Sequence, residues 1–134
     1  MRSALAFLAL LLSIASPAQA LDCRAGQQPT LTAELFFGRN IGQRHAVGDA
    51  AWSRFLAAEI TPRFPAGLTV VDATGQWRDR KRNTLVRERS KLVLVTLRPG
   101  AADQARIDAI VAAYKRRFQQ QSVAVLVRPA CISF

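Results

Sequence analysis

The stretch Gly67–Leu97 reads G-L-T-V-V-D-A-T-G-Q-W-R-D-R-K-R-N-T-L-V-R-E-R-S-K-L-V-L-V-T-L, and its reading decides the fold. Gly67 to Trp77 carries the β-branched pair Val70 and Val71 early, and Arg78 to Asn83 is a charged turn. Leu85 to Leu97 follows as a long strand, apolar on both parities at Leu92-Val93-Leu94-Val95. A turn this short leaves no room for a crossover helix, so the two strands form an antiparallel hairpin.

Upstream, Thr30 to Gly38 (T-L-T-A-E-L-F-F-G) places Leu31, Ala33, Leu35 and Phe37 on one parity and Thr32, Glu34 and Phe36 on the other. This is a strand with one strongly apolar face. Arg39 to Gly48 is polar and glycine-bracketed, hence a loop, and Asp49 is placed to cap a following helix. Trp52, Phe55, Leu56 and Ile60 share one helical face, and Pro62 and Pro65 stop the helix. Downstream, Pro99-Gly100 breaks the long strand, and Ile107, Val111, Tyr114 and Phe118 mark the inner face of a second helix. Lys115, Arg116 and Arg117 complement that helix's dipole at its last turn, and Ser122 to Val127 is a final strand ending at Pro129.

The order strand, helix, strand, strand, helix, strand predicts a ferredoxin-like βαββαβ α+β fold, a four-stranded antiparallel sheet with two helices on one face. The other face is left open, and a second copy of the chain is the expected cover, giving a homodimer. With the parity of Leu31, Leu35 and Phe37 toward the helices, Glu34 and Phe36 face outward. Glu88, Ser90, Leu92 and Leu94 are expected to share that outer face, with Asp72, Thr74 and Gln76 from the hairpin partner. Trp52, Trp77, Tyr114 and Phe118 are assigned to the core.

The chain has 134 residues, half of them hydrophobic, which suits one small packed domain and excludes a disordered or fibrous chain. Lys plus Arg number 19 against nine Asp plus Glu, a net charge of +10 that points to anionic partners. Residues 1–20 read as a cleaved secretory signal: Arg2 is a short positive region, Ala4 to Ile14 an apolar run, and Ala18-Gln19-Ala20 a cleavage site. Residues 21–134 then form a single exported domain, periplasmic or secreted. The apolar run is too short to span a bilayer, so the chain is not expected to be membrane-spanning. Leu21 and Asp22 before Cys23 disfavour lipidation, and Cys23 and Cys131 at the two ends of the mature chain predict a disulfide.

One histidine and two cysteines exclude a multi-His or multi-Cys metal cluster, and no metal or cofactor is expected. There is no glycine-rich phosphate loop, G-x-S-x-G elbow or H-E-x-x-H helix. The acid/base candidates are Glu34 and Glu88, read as a carboxylate pair on an apolar sheet, with Arg87 or Lys91 steadying an anionic intermediate. The bland alternative is that Arg87, Arg89, Lys91 or Arg128 simply pairs these acids. His45, Arg78, Arg80, Lys81 and Arg82 are ligand-binding candidates, the last four forming a basic hairpin tip suited to phosphates or an anionic envelope component. Nucleic acid is excluded by the export signal and by the lack of aromatic residues interleaved with the basic run.

Several motifs together carry a family likeness. Glu34-Leu35-Phe36-Phe37-Gly38, Trp52 with Phe55, and Thr61-Pro62-Arg63-Phe64-Pro65-Ala66-Gly67-Leu68-Thr69-Val70 are followed by Gly75-Gln76-Trp77-Arg78 and Arg87-Glu88-Arg89-Ser90-Lys91. Tyr114-Lys115 with Phe118 and the ending Pro129-Ala130-Cys131-Ile132-Ser133-Phe134 complete the set. The chain resembles the bacterial family catalogued as domain of unknown function 3574. That resemblance implies a short exported or envelope protein and transfers no catalytic residue. The leading functional expectation is a domain that binds a small or anionic ligand at the open sheet face or the basic hairpin. The alternatives are a cofactor-independent enzyme of dimeric α+β barrel type and an accessory or structural envelope protein.

Overall fold

The computed structural model describes residues 22–41, 44–98 and 100–134; the expected signal segment, residues 1–20, lies outside the described residues. The sheet comprises β1 (Gln28–Gly38), β2 (Thr69–Asp79), β3 (Thr84–Leu97) and β4 (Ala124–Ile132), arranged in the order β2-β3-β1-β4 with every neighbouring pair antiparallel. The helices are α1 (Asp49–Phe55), extended by a π-helical turn over Leu56–Ile60, and α2 (Ala101–Phe118). This is the ferredoxin-like arrangement that the element order predicts.

The parity of Leu31, Leu35 and Phe37 is the one that faces the helices. Ala33, Leu35 and Phe37 of β1 and Val93, Val95 and Leu97 of β3 are buried, together with Trp52 and Phe55 of α1 and Ile107, Ile110, Tyr114 and Phe118 of α2. Phe37 sits at the centre of an aromatic cluster, its ring 5.2 Å from Trp52 and 4.8 Å from Tyr114, while Phe55 lies 5.0 Å from Tyr114. Such tilted and edge-on contacts add to area burial because ring edges and faces carry opposite partial charge. Tyr114 is wholly buried, and its hydroxyl donates to the Gly38 carbonyl at 2.8 Å, fixing α2 over the end of β1. Burial raises the Tyr114 phenol far above its ordinary range; Arg39 opposes the shift and the Glu88 charge adds to it.

Four local expectations are corrected. First, Asp49 does not cap α1: Gly48 occupies the N-cap position, and the Asp49 carboxylate lies 2.8 Å from Arg39 Nη2, whose charge holds it below the usual carboxylate range. Arg39 is fully buried and organises the segment after β1. Its Nε donates to the Val47 carbonyl at 2.7 Å, and its own carbonyl accepts from the Ala46 and Val47 amides. Second, the expected loop contains a small ladder in which Asn40 pairs with His45 and Ile41 with Arg44. Third, β4 does not end at Pro129 but runs through it to Ile132, with Pro129 opposite Leu31. An edge strand tolerates proline because its missing amide can fall on the unpaired side. Fourth, Asp72, Thr74 and Gln76 lie on the helix-side parity, opposite Lys91, Arg89 and Arg87. They are exposed there because the helices do not cover this end of β2, so their polarity marks solvent and not the outer face.

The disulfide Cys23–Cys131 is present, with a Cα–Cα distance of 5.6 Å. It ties the segment ahead of β1 to the edge strand β4. No helix among the described residues is long and apolar enough to cross a membrane.

Candidate functional site

β3 is the longest strand, and only its Ser90–Leu97 part is laddered with β1; Thr84 to Arg89 is laddered with β2, and just past β1 the Arg39 amide donates to the Arg89 carbonyl at 3.0 Å. The hairpin therefore projects past the sheet body as a two-stranded ribbon. A groove of about 500 Å³ forms on the outer face where ribbon and body meet. Gly75, Trp77, Val86 and Glu88 line it from the ribbon, Phe36 and Gly38 from β1, and Gln119 to Ser122 from the connection between α2 and β4. That connection is turned over the sheet by Gln119, which ends α2 in the left-handed conformation at φ 53°. Gln120 Nε2 then donates to the Asn40 carbonyl at 2.7 Å and holds the loop against the end of β1.

Glu88 is half-buried in this groove, and Trp77 Nε1–H donates to its Oε1 at 3.2 Å. One glycine, Gly38, makes room for its carboxylate. Gly75 is directly opposite Glu88 in the ladder, and a Cβ on Gly38 would stand 2.9 Å from both Glu88 carboxylate oxygens. Trp77, assigned to the core from sequence, is instead 46% exposed and forms a wall of the groove. Its place opposite Val86 on the outward parity is the reason, since no helix covers that face.

The other candidate residues are distributed as follows. Glu34 faces outward opposite Leu94 and pairs with Arg128. Extending the register places Glu88 six residues along from Glu34, on the order of 20 Å at the usual rise of a strand, so the two do not form a carboxylate pair. Arg87 and Lys91 lie on the helix-side parity, away from Glu88, and Lys91 pairs with Asp72. Arg78 donates to Asn83 Oδ1 at 3.1 Å across the turn. Asp79 Oδ1 accepts from the Lys81 and Arg82 amides, which leaves the side chains of Arg80, Lys81 and Arg82 exposed at the tip. Arg82 reaches the groove rim and lies 3.6 Å from Asp79. His45 stands opposite Asn40, and its side chain lies outside the described ones. Among the described residues no group of His, Cys, Asp and Glu is gathered to hold a metal ion.

Sheet order, helix placement and the open groove together define a ferredoxin-like α+β domain. The chain belongs to the family described as "Protein of unknown function (DUF3574)", whose model matches residues 32–134. No curated protein matches the sequence. Among solved structures, a phage SAM lyase in complex with S-methyl-5'-thioadenosine is similar at a TM-score of 0.61 and 16% identity, covering 87% of this chain and 97% of that chain. CutA from Synechococcus elongatus PCC7942 is similar at a TM-score of 0.52 and 11% identity, covering 80% and 83%. At these identities the likeness is one of fold.

Proposed function

We propose that this chain is an exported domain that binds a small amphipathic molecule in the groove between Trp77, Phe36 and the Gln119–Ser122 connection. The observation that carries the reading is the Glu88 carboxylate, held by the Trp77 indole inside an opening of about 500 Å³. That volume lies within the usual range for small-molecule sites, and Phe36, Trp77 and Val86 give the groove an apolar wall among its polar groups. The Phe36 and Trp77 rings offer the apolar surface, and Ser90 with the glutamine amides offers hydrogen bonds. A similarly folded phage SAM lyase was solved with S-methyl-5'-thioadenosine, a ligand of suitable size and character for such a groove. The exposed basic tip at Arg80, Lys81 and Arg82 is a second surface, suited to anionic envelope components. Val71 and Phe36, both exposed, flank Leu92 in one outward row, and this apolar row supports a homodimer through the sheet face.

The test is native mass spectrometry of the protein purified from a host that exports it. The wild-type chain is expected to retain an additional mass that Trp77→Ala loses. The reading fails if the wild-type mass is bare and the Trp77 indole N–H resonance stays fixed when millimolar aromatic fragments are added.

A further inference from the structure

Glu88 differs from the other acids in one respect. Among the described residues Glu34, Asp49, Glu59, Asp72, Asp79 and Asp103 each hold an arginine or lysine within salt-bridge distance. Asp22 and Asp108 hold none and are exposed. Glu88 is half-buried, sits in a groove and is flanked in sequence by Arg87 and Arg89, yet no cation of the described chain reaches it. Strand alternation is the cause: both arginines point to the opposite face. Arg82, the basic residue on the groove rim, lies 3.6 Å from Asp79 and outside salt-bridge distance of Glu88. An ionised carboxylate has about four acceptor positions, and the Trp77 N–H fills one of them.

Resting on the reading of the groove as a ligand site, we infer that its ligand is a small organic cation, with an ammonium, amidinium or guanidinium head at Glu88 and an apolar or planar body against Trp77. Carboxylate and indole are complementary to such a group in two ways. The carboxylate forms charge-assisted hydrogen bonds, and the exposed ring face attracts positive charge through its quadrupole. The indole N–H bond to Oε1 orients Glu88 before the ligand arrives, so little side-chain freedom remains to be lost on binding. The positive charge of the chain does not prevent this. Repulsion between solvated charges fades over about 10 Å at 0.1 M salt, whereas contact with Glu88 is direct.

Three probes of one shape test the inference at pH 7: benzylamine, which is cationic, benzyl alcohol, which is neutral, and benzoate, which is anionic. The readout is the Trp77 Nε1–H resonance, assigned by its loss in Trp77→Phe. Benzylamine is expected to shift it saturably and at least tenfold more tightly than benzyl alcohol, with benzoate weakest. Glu88→Gln, shown to be folded by its amide spectrum, is expected to abolish the preference while keeping the weak binding of the alcohol. Equal binding of amine and alcohol, or tighter binding of benzoate, overturns the cation assignment and leaves the groove as a ligand site. No response to any of the three overturns both.

Discussion

The Cys23–Cys131 bridge closes a loop of 108 residues, and its removal offers the sharpest quantitative test of the fold. In the folded chain the bridge joins segments that β-pairing already brings together, with Pro29 of β1 directly opposite Cys131 of β4. The cross-link therefore acts mainly on the denatured ensemble. The chain-entropy relation for a loop of this length gives about 5 kcal/mol at 25 °C. For a domain of this size each kcal/mol moves the melting temperature by roughly 4 °C, so the double variant Cys23→Ser/Cys131→Ser is expected to melt on the order of 20 °C lower. Circular dichroism melts measure the shift, and urea titrations should show a steeper dependence because the uncrosslinked denatured chain exposes more surface. A fall of less than about 5 °C, with the variant's amide spectrum unchanged, would refute the reasoning: the bridge would then not be confining the unfolded chain.

Tyr114→Phe keeps the ring in the aromatic cluster but leaves the Gly38 carbonyl without its donor, at a cost of about 1–2 kcal/mol in chemical denaturation. Because the folded-state phenol is raised, wild-type stability is complete below the ordinary tyrosine range and lost as pH rises above about 10; the Phe variant should show a shallower alkaline decline. Asp103 accepts from the Arg98 amide at 2.7 Å and pairs with Arg106; these contacts hold its carboxyl below the usual range despite burial. Its contribution is present above the normal carboxylate range and lost as pH falls through the depressed value, so Asp103→Asn should flatten the acid limb and cost about 1–3 kcal/mol at pH 7.

Most of the fold was legible because each element carries its period openly. Alternation from Leu31 to Phe37 and the helical spacing of Ile107, Val111, Tyr114 and Phe118 both point to the same layer, and the structure buries it. The two cysteines were equally readable, since a chain with only two of them allows a single intrachain pairing. The site was less so. Trp77 was assigned to the core along with Trp52, Tyr114 and Phe118, without the helical spacing that supports those three, and the groove residues Gln119, Gln120 and Gln121 have no periodicity to declare them. The polar run at Asp72, Thr74 and Gln76 misled for a physical reason: exposed side chains occur on either parity of a strand wherever nothing is packed above them. Glu88 was singled out for its chemistry, but its partners depend on register and not on sequence proximity. Arg87 and Arg89 are its neighbours in the chain and lie across the sheet from it.

That separation explains how a strongly basic chain keeps a half-buried carboxylate free of cations. Were β3 to end level with β1 at Ser90, Glu88 would fall in a turn, where adjacent arginines are not held to opposite sides. Extending β3 as far as Thr84 places Glu88 in a regular ladder with Gly75 as its cross-strand neighbour, which directs both flanking arginines away from it. The end of β1 at Gly38 then removes the side chain that would otherwise crowd its carboxylate, and the connection after α2 supplies the remaining wall. The groove is thus a consequence of unequal strand lengths, and Gly38 contributes to it by having no side chain where the Glu88 carboxylate lies.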